Sequence, residues 1–212
     1  MLLGAPGSGK GTQAEMITRN FGIPVTSPGA ILRRERDLGT PLGIETAGAA
    51  QRGDLVPDKI IVGLIEDWLR LHGGQGFVFD GFPRTTPQAE SLQAILTRVR
   101  TQLDLAIWLE VSEQTVADRI AHRLQCQACG FTTSETSAVF AERPVCPYCD
   151  GPLIRRTDDD EAVLRHRLSE FNSKTQPLAS YYEERKVLRR INGNRARDEV
   201  FADISHLIEQ TP

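Results

Sequence analysis

The sequence predicts an α/β protein with a parallel sheet that helices cover on both faces. Short apolar segments at residues 77–79, 105–111 and 187–191 have the length and composition of buried strands. Stretches with the spacing of amphipathic helices separate them. Alternation of this kind is typical of βαβ units, in which the strands run parallel and the connecting helices pack on the sheet.

The elements follow one another along the chain. Met1-Leu2-Leu3 is a short apolar run that leads into a glycine-rich loop. Residues 126–152 carry many turn residues and show no sustained periodicity, so no element is predicted there. The longest regular apolar face, over residues 59–71, is expected to end at Gly73-Gly74. Helices are expected over residues 9–20, 30–38, 43–51, 59–71, 88–100, 113–124, 160–182 and 197–210.

Two segments, 27–56 and 122–159, break the alternation of strands and helices. We interpret them as insertions into a single core rather than as independent domains. A chain of 212 residues is long enough for one sizeable α/β core with such insertions. The core then consists of residues 1–26, 57–121 and 160–212.

Composition and charge exclude several classes of protein. The formal net charge of −3 provides no basic field for nucleic acid, so no nucleic-acid partner is expected. No run approaches the roughly 18 apolar residues of a membrane-spanning helix, so no membrane partner is expected either. The chain begins with the glycine-rich motif and leaves no room for a signal peptide, which favours a cytoplasmic location.

A phosphate-binding loop is predicted directly after the first apolar run. The pattern G-x-x-x-x-G-K-[ST] matches with Gly4, Gly9 and Lys10 in register, although Gly11 takes the Ser/Thr position and Thr12 follows it. Glycines let successive N–H groups turn inward, and the following helix adds its positive end. The alternative is a strand–helix turn that binds nothing. The apolar run before the loop and the helix after it favour phosphate binding.

The four cysteines predict a structural metal site. They form the pattern C-x2-C-x16-C-x2-C, which is typical of a tetrahedral Zn²⁺ held by four thiolates. Four protein ligands leave no open position, so the metal is expected to be structural rather than catalytic. Two disulfides or an iron site remain chemically open. The expected ligands are Cys126, Cys129, Cys146 and Cys149.

Four motifs, in order along the chain, resemble the adenylate kinase family, and in particular its long-lid, zinc-containing bacterial type. The first is the glycine-rich loop with glycine at position 11. The motifs extend over nearly the whole chain and together are highly specific. The others are Asp80-Gly81-Phe82-Pro83-Arg84-Thr85 with Gln88, then Asp118-Arg119-Ile120-Ala121-His122-Arg123, and finally Arg156-Thr157-Asp158-Asp159 followed by Arg165-His166-Arg167-Leu168.

The resemblance implies a P-loop NTPase-like parallel sheet with two inserted parts. Residues 27–56 would be a flap that binds AMP, and residues 122–159 a zinc-knuckle lid that folds over ATP. The implied reaction is reversible transfer of the ATP γ-phosphoryl group to AMP, giving two ADP, with lid closure. The implied cofactors are Mg²⁺ bound with ATP and a structural Zn²⁺, and the family expectation is a monomer.

The resemblance also implies the site residues. Asp80 would orient waters around Mg²⁺. The residues implied to act on the phosphates are Lys10, Arg84, Arg119, Arg123, Arg156 and Arg167. Those implied for ATP are Gly7, Ser8, Gly9, Lys10, Gly11, Thr12, Arg119, Arg123, Thr132, Thr133 and Arg195. Those implied for AMP are Pro28, Arg33, Asp54, Leu55, Val56, Gly81, Phe82, Pro83, Arg84, Gln88, Arg156 and Arg167.

The monophosphate site departs from the family pattern. The family commonly has Ser-Thr-Gly-Asp where this chain has Ser27-Pro28-Gly29-Ala30. Pro28 lacks the threonine hydroxyl and a backbone N–H, and Ala30 lacks a carboxylate. Two alternatives to AMP phosphorylation therefore stay open. One is the same type of kinase acting on another nucleoside monophosphate, and the other is a catalytically silent nucleotide-binding protein.

Overall fold

The structure is a computed structural model that describes residues 1–72, 76–156 and 158–211. Two sequence predictions fall outside these residues: the helix end at Gly73-Gly74, and Thr157 of the fourth motif. In the described part of the chain, the strands are β1 (Leu2–Gly4), β2 (Val25–Thr26), β3 (Val78–Phe79), β4 (Ala106–Glu110), β5 (Arg123–Cys126), β6 (Thr132–Ser134), β7 (Leu153–Ile154) and β8 (Leu188–Asn192).

Helices connect these strands, and most of the predicted helices are present with ends shifted by one to three residues. A π-helical turn at Phe171–Thr175 lies between the eighth and ninth helices. The α-helices of the described residues are α1 (Lys10–Phe21), α2 (Pro28–Asp37), α3 (Pro41–Arg52), α4 (Asp58–His72), α5 (Thr86–Arg98), α6 (Glu113–Ala121), α7 (Ala138–Glu142), α8 (Glu161–Glu170), α9 (Leu178–Glu184) and α10 (Arg197–Glu209).

The main sheet is parallel throughout, as the sequence predicts. β1, β4 and β8 form one ladder, and β2 and β3 form another. A bridge between Leu2 and Asp80 joins the two, because the Gly81 N–H donates to the Leu2 carbonyl at 3.1 Å. The strand order is therefore β2-β3-β1-β4-β8. The sequence does not predict β2, because two residues are too few to show a period.

Helices pack on both faces of this sheet. Strand side chains alternate between two hydrophobic clusters, because successive residues of a strand point to opposite faces. Leu3 and Phe79 belong to the cluster formed with α4, α5 and α9. Leu2 and Val78 belong to the cluster formed with α1 and α10. The predicted fold class is confirmed.

A second, smaller sheet lies within residues 122–159. Its central strand β5 pairs antiparallel with β6 and β7. The sequence predicts a helix up to residue 124, and this is wrong: α6 ends at Ala121. Val116, Ile120 and Leu124 are spaced four apart, which is helical spacing, but Leu124 is buried as part of β5. Pairing with β6 overrides the local pattern. β6 and α7 also lie in the segment for which no element is predicted.

The single helix predicted over residues 160–182 is wrong in its middle. The α-helical pattern ends at Glu170, and the Gln176 N–H donates to the Phe171 carbonyl at 2.9 Å across a π-helical turn. Pro177 follows, has no N–H to donate, and precedes α9. In the part of the chain that the structure describes, no helix combines the length and hydropathy needed to cross a bilayer.

We expect the free energy of unfolding to depend strongly on the buried face of α4. Leu69 is 2% exposed, whereas Leu71 on the same helix is 81% exposed. Leu69→Ala should cost about 2–5 kcal/mol, because it removes buried methyl groups and leaves a cavity. Leu71→Ala, the matched control, should change stability by less than about 0.5 kcal/mol. Urea denaturation with an unchanged m-value measures both, and equal effects would contradict the packing described above.

Candidate active site

A large cleft of about 1740 Å³ opens where the loops leave the carboxyl ends of the parallel strands. This is the edge at which open α/β sheets bind ligands. The cleft brings together residues from all four sequence motifs. Among the residues that line it are Gly7, Ser8, Gly9, Lys10, Gly11, Thr12, Asp80, Pro83, Arg84, Arg119, Arg123, Thr132, Thr133, Arg156, Arg167 and Arg195.

The predicted phosphate loop connects β1 to α1, as expected. Gly4 has a φ of +143° and a Cβ there would lie 2.7 Å from the Leu109 carbonyl oxygen. Gly7 has a φ of +76° and a Cβ there would lie 2.9 Å from Cγ1 of Ile120. Only glycine fits at either position, because both the backbone conformation and the space forbid a side chain. The loop is thus packed closely against β4 and α6.

Lys10 lies beneath this loop with its ammonium group turned toward the loop's own backbone. Its Nζ donates to the Gly4 and Ala5 carbonyl oxygens, each at 2.8 Å. Burial, with a smaller contribution from the charge of Arg84, lowers the pKa of Lys10 to about 7 against the opposing effect of Asp80. A negatively charged ligand beside this amine would favour its charged form.

Arginines from separate parts of the chain converge on the same cleft. A Cβ at Gly29 would lie 3.2 Å from Nη1 of Arg33 and 3.8 Å from Nη2 of Arg84, so both guanidinium groups approach this glycine. Arg84 is half-buried, and its Nε donates to the Gly81 carbonyl at 2.9 Å. Burial lowers the pKa of Arg33 and of Arg84. Burying these charged groups costs free energy that an anionic ligand would offset, so the cavity is suited to such a ligand.

Two adjacent carboxylates, Asp158 and Asp159, hold three more arginines of the cleft. Asp158 accepts from Arg156 and, at 3.0 Å, from Nη1 of Arg167. Asp159 pairs with Arg123, and both side chains are largely buried. Burial opposes ionisation of Asp158, but the hydrogen bond and charge of Arg156 hold its pKa well below the usual range. These pairs fix the guanidinium groups before any ligand arrives.

We call the six side chains Lys10, Arg33, Arg84, Arg123, Arg156 and Arg167 the basic cluster. The carboxylates near it are Asp80, Asp158 and Asp159. Positive charge is therefore in excess inside a chain whose formal net charge is −3. An excess confined to one cleft favours binding of a polyanion there and not over the whole surface.

Arg119 joins the phosphate loop to the end of β8. Its Nη2 donates to the Gly193 carbonyl at 2.8 Å, and its Nη1 to the Ser8 carbonyl at 3.4 Å. On the opposite side of the cleft, Thr132 and Thr133 belong to β6. Arg195 lies in the loop before α10, and its side chain pairs with Asp203. All the residues implied for ATP border the large cleft.

Asp80 directly follows β3 and faces the start of α1. A Cβ at Gly11 would lie 3.4 Å from Oδ2 of Asp80. The missing side chain at position 11 thus leaves room for this carboxylate beside the phosphate loop. Thr12 is the next residue, in the first turn of α1. The site therefore contains an acidic oxygen close to Lys10 and to the loop.

A small cavity of about 100 Å³ adjoins the large cleft. Gln88 lines it and is 2% exposed, so its amide is buried against the cavity and is not a surface group. Phe82 is fully buried in the hydrophobic core, which leaves mainly its backbone for a ligand. Of the residues implied for AMP, those that line the small cavity are Pro28, Arg33, Asp54, Leu55, Val56, Gly81, Phe82, Arg84, Gln88, Arg156 and Arg167.

Pro28 stands in a position that tolerates proline. It is the first residue of α2, after Ser27 in an extended conformation. The N–H that proline lacks has no acceptor within a helix at this position, and the fixed φ of proline suits it. The departure from the family pattern therefore does not disturb the helix, although the side chain offers the cavity no hydroxyl.

The four cysteine sulfurs form one group, as the spacing predicts. All four Sγ atoms lie within 4.8 Å of one another. The Cys126–Cys149 and Cys129–Cys146 Sγ atoms are each 3.4 Å apart, and none of the four is in a disulfide. Zn–S bonds of about 2.3 Å place tetrahedral sulfurs roughly 3.8 Å apart. The donor set therefore fits a Zn²⁺ ion, and the disulfide alternative is not what the structure has.

Sequence reasoning missed two contacts that join residues 27–56 and 122–159 to distant helices. The guanidinium of Arg19 on α1 lies 3.7 Å from the ring centroid of Tyr148, which follows Cys146 in the second cysteine knuckle. His166 Nε2 on α8 lies 2.8 Å from Oδ1 of Asp54, at the end of the 27–56 segment. The sequence interpretation leaves the histidines without a role, because nothing local indicates such a long-range partner.

Comparison with known proteins agrees with this geometry. The family model described as adenylate kinase matches residues 2–187. The chain belongs to the adenylate kinase family. An adenylate kinase of Geobacillus sp. (strain WCH70) is 41% identical over 209 residues, covering 98% of this chain and 97% of the relative. The adenylate kinases of Thermodesulfovibrio yellowstonii and Methanosarcina barkeri are each 37% identical over 211 residues, covering 99% of this chain and 98% of each relative.

Membership of the adenylate kinase family makes the chain a nucleoside monophosphate kinase, and so a phosphotransferase. The resemblance stated from the four motifs is confirmed. The alternative of a catalytically silent nucleotide-binding protein is not favoured, since the basic cluster is complete. The family assigns the chemistry, and the individual roles of the residues are taken up below.

We expect nucleotide binding to take up a proton at Lys10. With a pKa of about 7, the amine is mostly neutral in the free cleft at about pH 8.5. Phosphate oxygens beside the amine raise its pKa, so binding recharges it, and affinity falls as the pH rises above about 7. Calorimetric titration with ATP in two buffers of different ionisation enthalpy measures the proton uptake.

Lys10→Arg is the control for this titration, because arginine stays charged throughout that pH range. Its proton uptake should be close to zero. If the unmodified protein takes up no more protons than this variant, the lysine is already charged in the free cleft.

Proposed function

We propose that the chain catalyses reversible transfer of the γ-phosphoryl group of Mg²⁺-bound ATP to AMP, giving two ADP. One observation carries the proposal: Arg33, Arg84, Arg156 and Arg167 line both the large cleft and the small cavity. The basic cluster therefore lies where the two spaces meet. Two nucleotides placed one in each space would bring their phosphates together at these arginines.

The chemistry of phosphoryl transfer suits this arrangement. The protein makes no covalent bond to the group that moves, and catalysis consists of positioning plus neutralisation of charge on the phosphoryl oxygens. Lys10 and the phosphate-loop N–H groups would bind the phosphates of ATP. Arg84 and Arg167 would bind the acceptor phosphate from the other side. AMP needs no general base, because its phosphate is already ionised.

The residues of the cleft fit Mg²⁺. Its preferred ligands are oxygens and several waters, usually with substrate phosphates. Asp80 is the carboxylate nearest to Lys10 and the loop, and it would hold the water ligands of the ion, with the Thr12 hydroxyl in the same network. When bound, the ion would neutralise charge on the phosphates that Lys10 contacts.

The inserted segments would close over the substrates. Residues 27–56 supply Arg33 and part of the small cavity, and residues 122–159 supply Arg123, Arg156 and β6 to the large cleft. Such closure excludes water from phosphoryl transfer. We propose that these are the AMP flap and the ATP lid, that residues 1–26, 57–121 and 160–212 are the core, and that the protein acts as a cytoplasmic monomer.

Structural Zn²⁺ would stabilise the lid. The small sheet β6-β5-β7 adds few buried side chains, so it has little hydrophobic core of its own. A metal bound by Cys126, Cys129, Cys146 and Cys149 would supply the missing folding free energy. The alternative of transfer to another nucleoside monophosphate, which Pro28 and Ala30 left open, is not favoured, because the relatives are adenylate kinases over nearly the whole chain.

We expect AMP-dependent ADP formation to require Arg84. A coupled assay with Mg²⁺-ATP and separately AMP, CMP, UMP or GMP should show the highest kcat/KM with AMP. Arg84→Ala should lower kcat about 100- to 1000-fold, because a preorganised donor to the phosphates is lost. Arg165→Ala is the matched control, since Arg165 is exposed and paired with Glu161 within α8.

The substrate panel also tests the proposal itself. Faster turnover with a monophosphate other than AMP would assign the chain to that substrate. If protein that is folded and binds ATP shows no turnover with any of the four monophosphates, the proposed kinase reaction is excluded.

We expect the metal content to follow the cysteines. The purified protein should contain about one Zn²⁺ per chain, and Cys146→Ser should lose it and melt at a lower temperature. Thr136→Ala, an exposed position in the same segment, should keep both the metal and the melting temperature. Elemental analysis with thermal unfolding measures this, and a variant lacking Cys146 that stays as stable as Thr136→Ala would rule out a stabilising metal.

A further inference from the structure

The side-chain amide of Gln88 forms hydrogen bonds with two groups, one of which can only donate and the other only accept. Its Oε1 accepts from the Arg84 backbone N–H at 2.8 Å, and its Nε2 donates to Oδ1 of Asp58 at 2.6 Å. A backbone N–H can only donate, and a carboxylate can only accept. Turning the amide over would set its NH₂ against an N–H and its carbonyl against a carboxylate. The structure thus admits one orientation of this side chain.

Asp58 is itself fixed by Thr85. The Thr85 hydroxyl donates to Oδ2 of Asp58 at 2.9 Å and accepts from the Gln88 backbone N–H at 3.2 Å. Asp58, Thr85 and Gln88 therefore form a closed ring that connects the first turn of α4 to the first turn of α5. Both oxygens of the carboxylate are engaged, so Asp58 cannot rotate away from Gln88 without losing two hydrogen bonds.

The orientation decides which bases Gln88 can pair with. After these two bonds, the amide keeps one N–H and one lone pair of Oε1, and the side chain borders the small cavity. A 6-aminopurine presents a donor at N6 beside an acceptor at N1. A 6-oxopurine presents the reverse order, an acceptor at O6 beside a donor at N1. A fixed amide can match one order and leaves the other with unpaired polar groups.

We infer that Asp58 determines the base specificity of the monophosphate site by locking the amide of Gln88 in the order that matches a 6-aminopurine. Asp58 does not touch the substrate and is a positioning residue. The inference rests on the proposed function, since it concerns the site proposed for AMP. It explains how the cavity selects an amino group although Pro28 offers no hydroxyl.

The test compares AMP with IMP, which differ only at this edge of the base. In Asp58→Asn, the new side chain can donate as well as accept, so Gln88 is freed from one of its two constraints. We expect kcat/KM with IMP to rise about tenfold in absolute terms, and kcat/KM with AMP to stay level or fall. The change should lie mainly in KM, because positioning of the base is altered and the phosphates are not.

A purely structural role for Asp58 would give a different result. Damage to the fold would lower kcat/KM for both substrates and could not raise it for IMP. Asp67→Asn is the matched control, because it removes the same charge from an exposed position of the same helix. It should leave both values unchanged. Asp58→Glu, which keeps an acceptor-only group, should retain the preference for AMP.

If kcat/KM with IMP does not rise in folded, zinc-loaded Asp58→Asn, the inference is wrong. If that variant does not fold, Asp58→Ser replaces it, since a hydroxyl also donates or accepts and suits the first turn of a helix. The proposed function fails separately: it is wrong if the unmodified protein does not turn over AMP. If the unmodified protein prefers AMP and neither variant gains kcat/KM with IMP, the proposed function is retained. In that case Asp58 does not determine base specificity.

Discussion

The collection of positive charge in one buried cleft is the constraint on which the rest of the structure depends. Burial and the charges of Arg84, Arg167 and Arg123 lower the pKa of Lys10 to about 7, against the opposing effect of Asp80. Asp158 and Asp159 offset part of this cost by pairing with Arg156 and Arg123. The remaining excess of positive charge is what the phosphates of two bound nucleotides would neutralise. The same balance of charges therefore governs how the side chains of the cleft are arranged and how nucleotides would bind there.

The parallel sheet places the loops that carry these charged groups close together. Because all five strands of the main sheet run parallel, the phosphate loop after β1, Asp80 after β3 and Gly193 after β8 emerge at one edge. Glycines then set the distances: Gly4 and Gly7 let the loop pack against β4 and α6 without a side chain in between. Hydrophobic clusters pack on both faces of the sheet, and residues from 27–56 and 122–159 line the cleft at this edge.

Substrate choice depends on polar groups whose direction is fixed by neighbours. The acceptor-only Asp58 and the donor-only Arg84 N–H leave Gln88 a single orientation. The same principle holds the arginines, because Asp158 and Asp159 can only accept. A site built this way can distinguish ligands by the arrangement of their donors and acceptors. It also explains why one family member can carry Pro28 at a position where threonine is common.

The sequence by itself determined the parts whose chemistry lies in consecutive residues: the phosphate loop, the two cysteine pairs, the positions of the motif arginines and most of the amphipathic helices. Family and fold class followed from these and are confirmed. It did not determine contacts between distant residues, such as Asp58 with Gln88 or His166 with Asp54, nor that α6 would end before Leu124. Periodicity and spacing describe neighbours along the chain. Which separate segments meet, and in which orientation each amide or carboxylate is held, is decided only when packing brings them together.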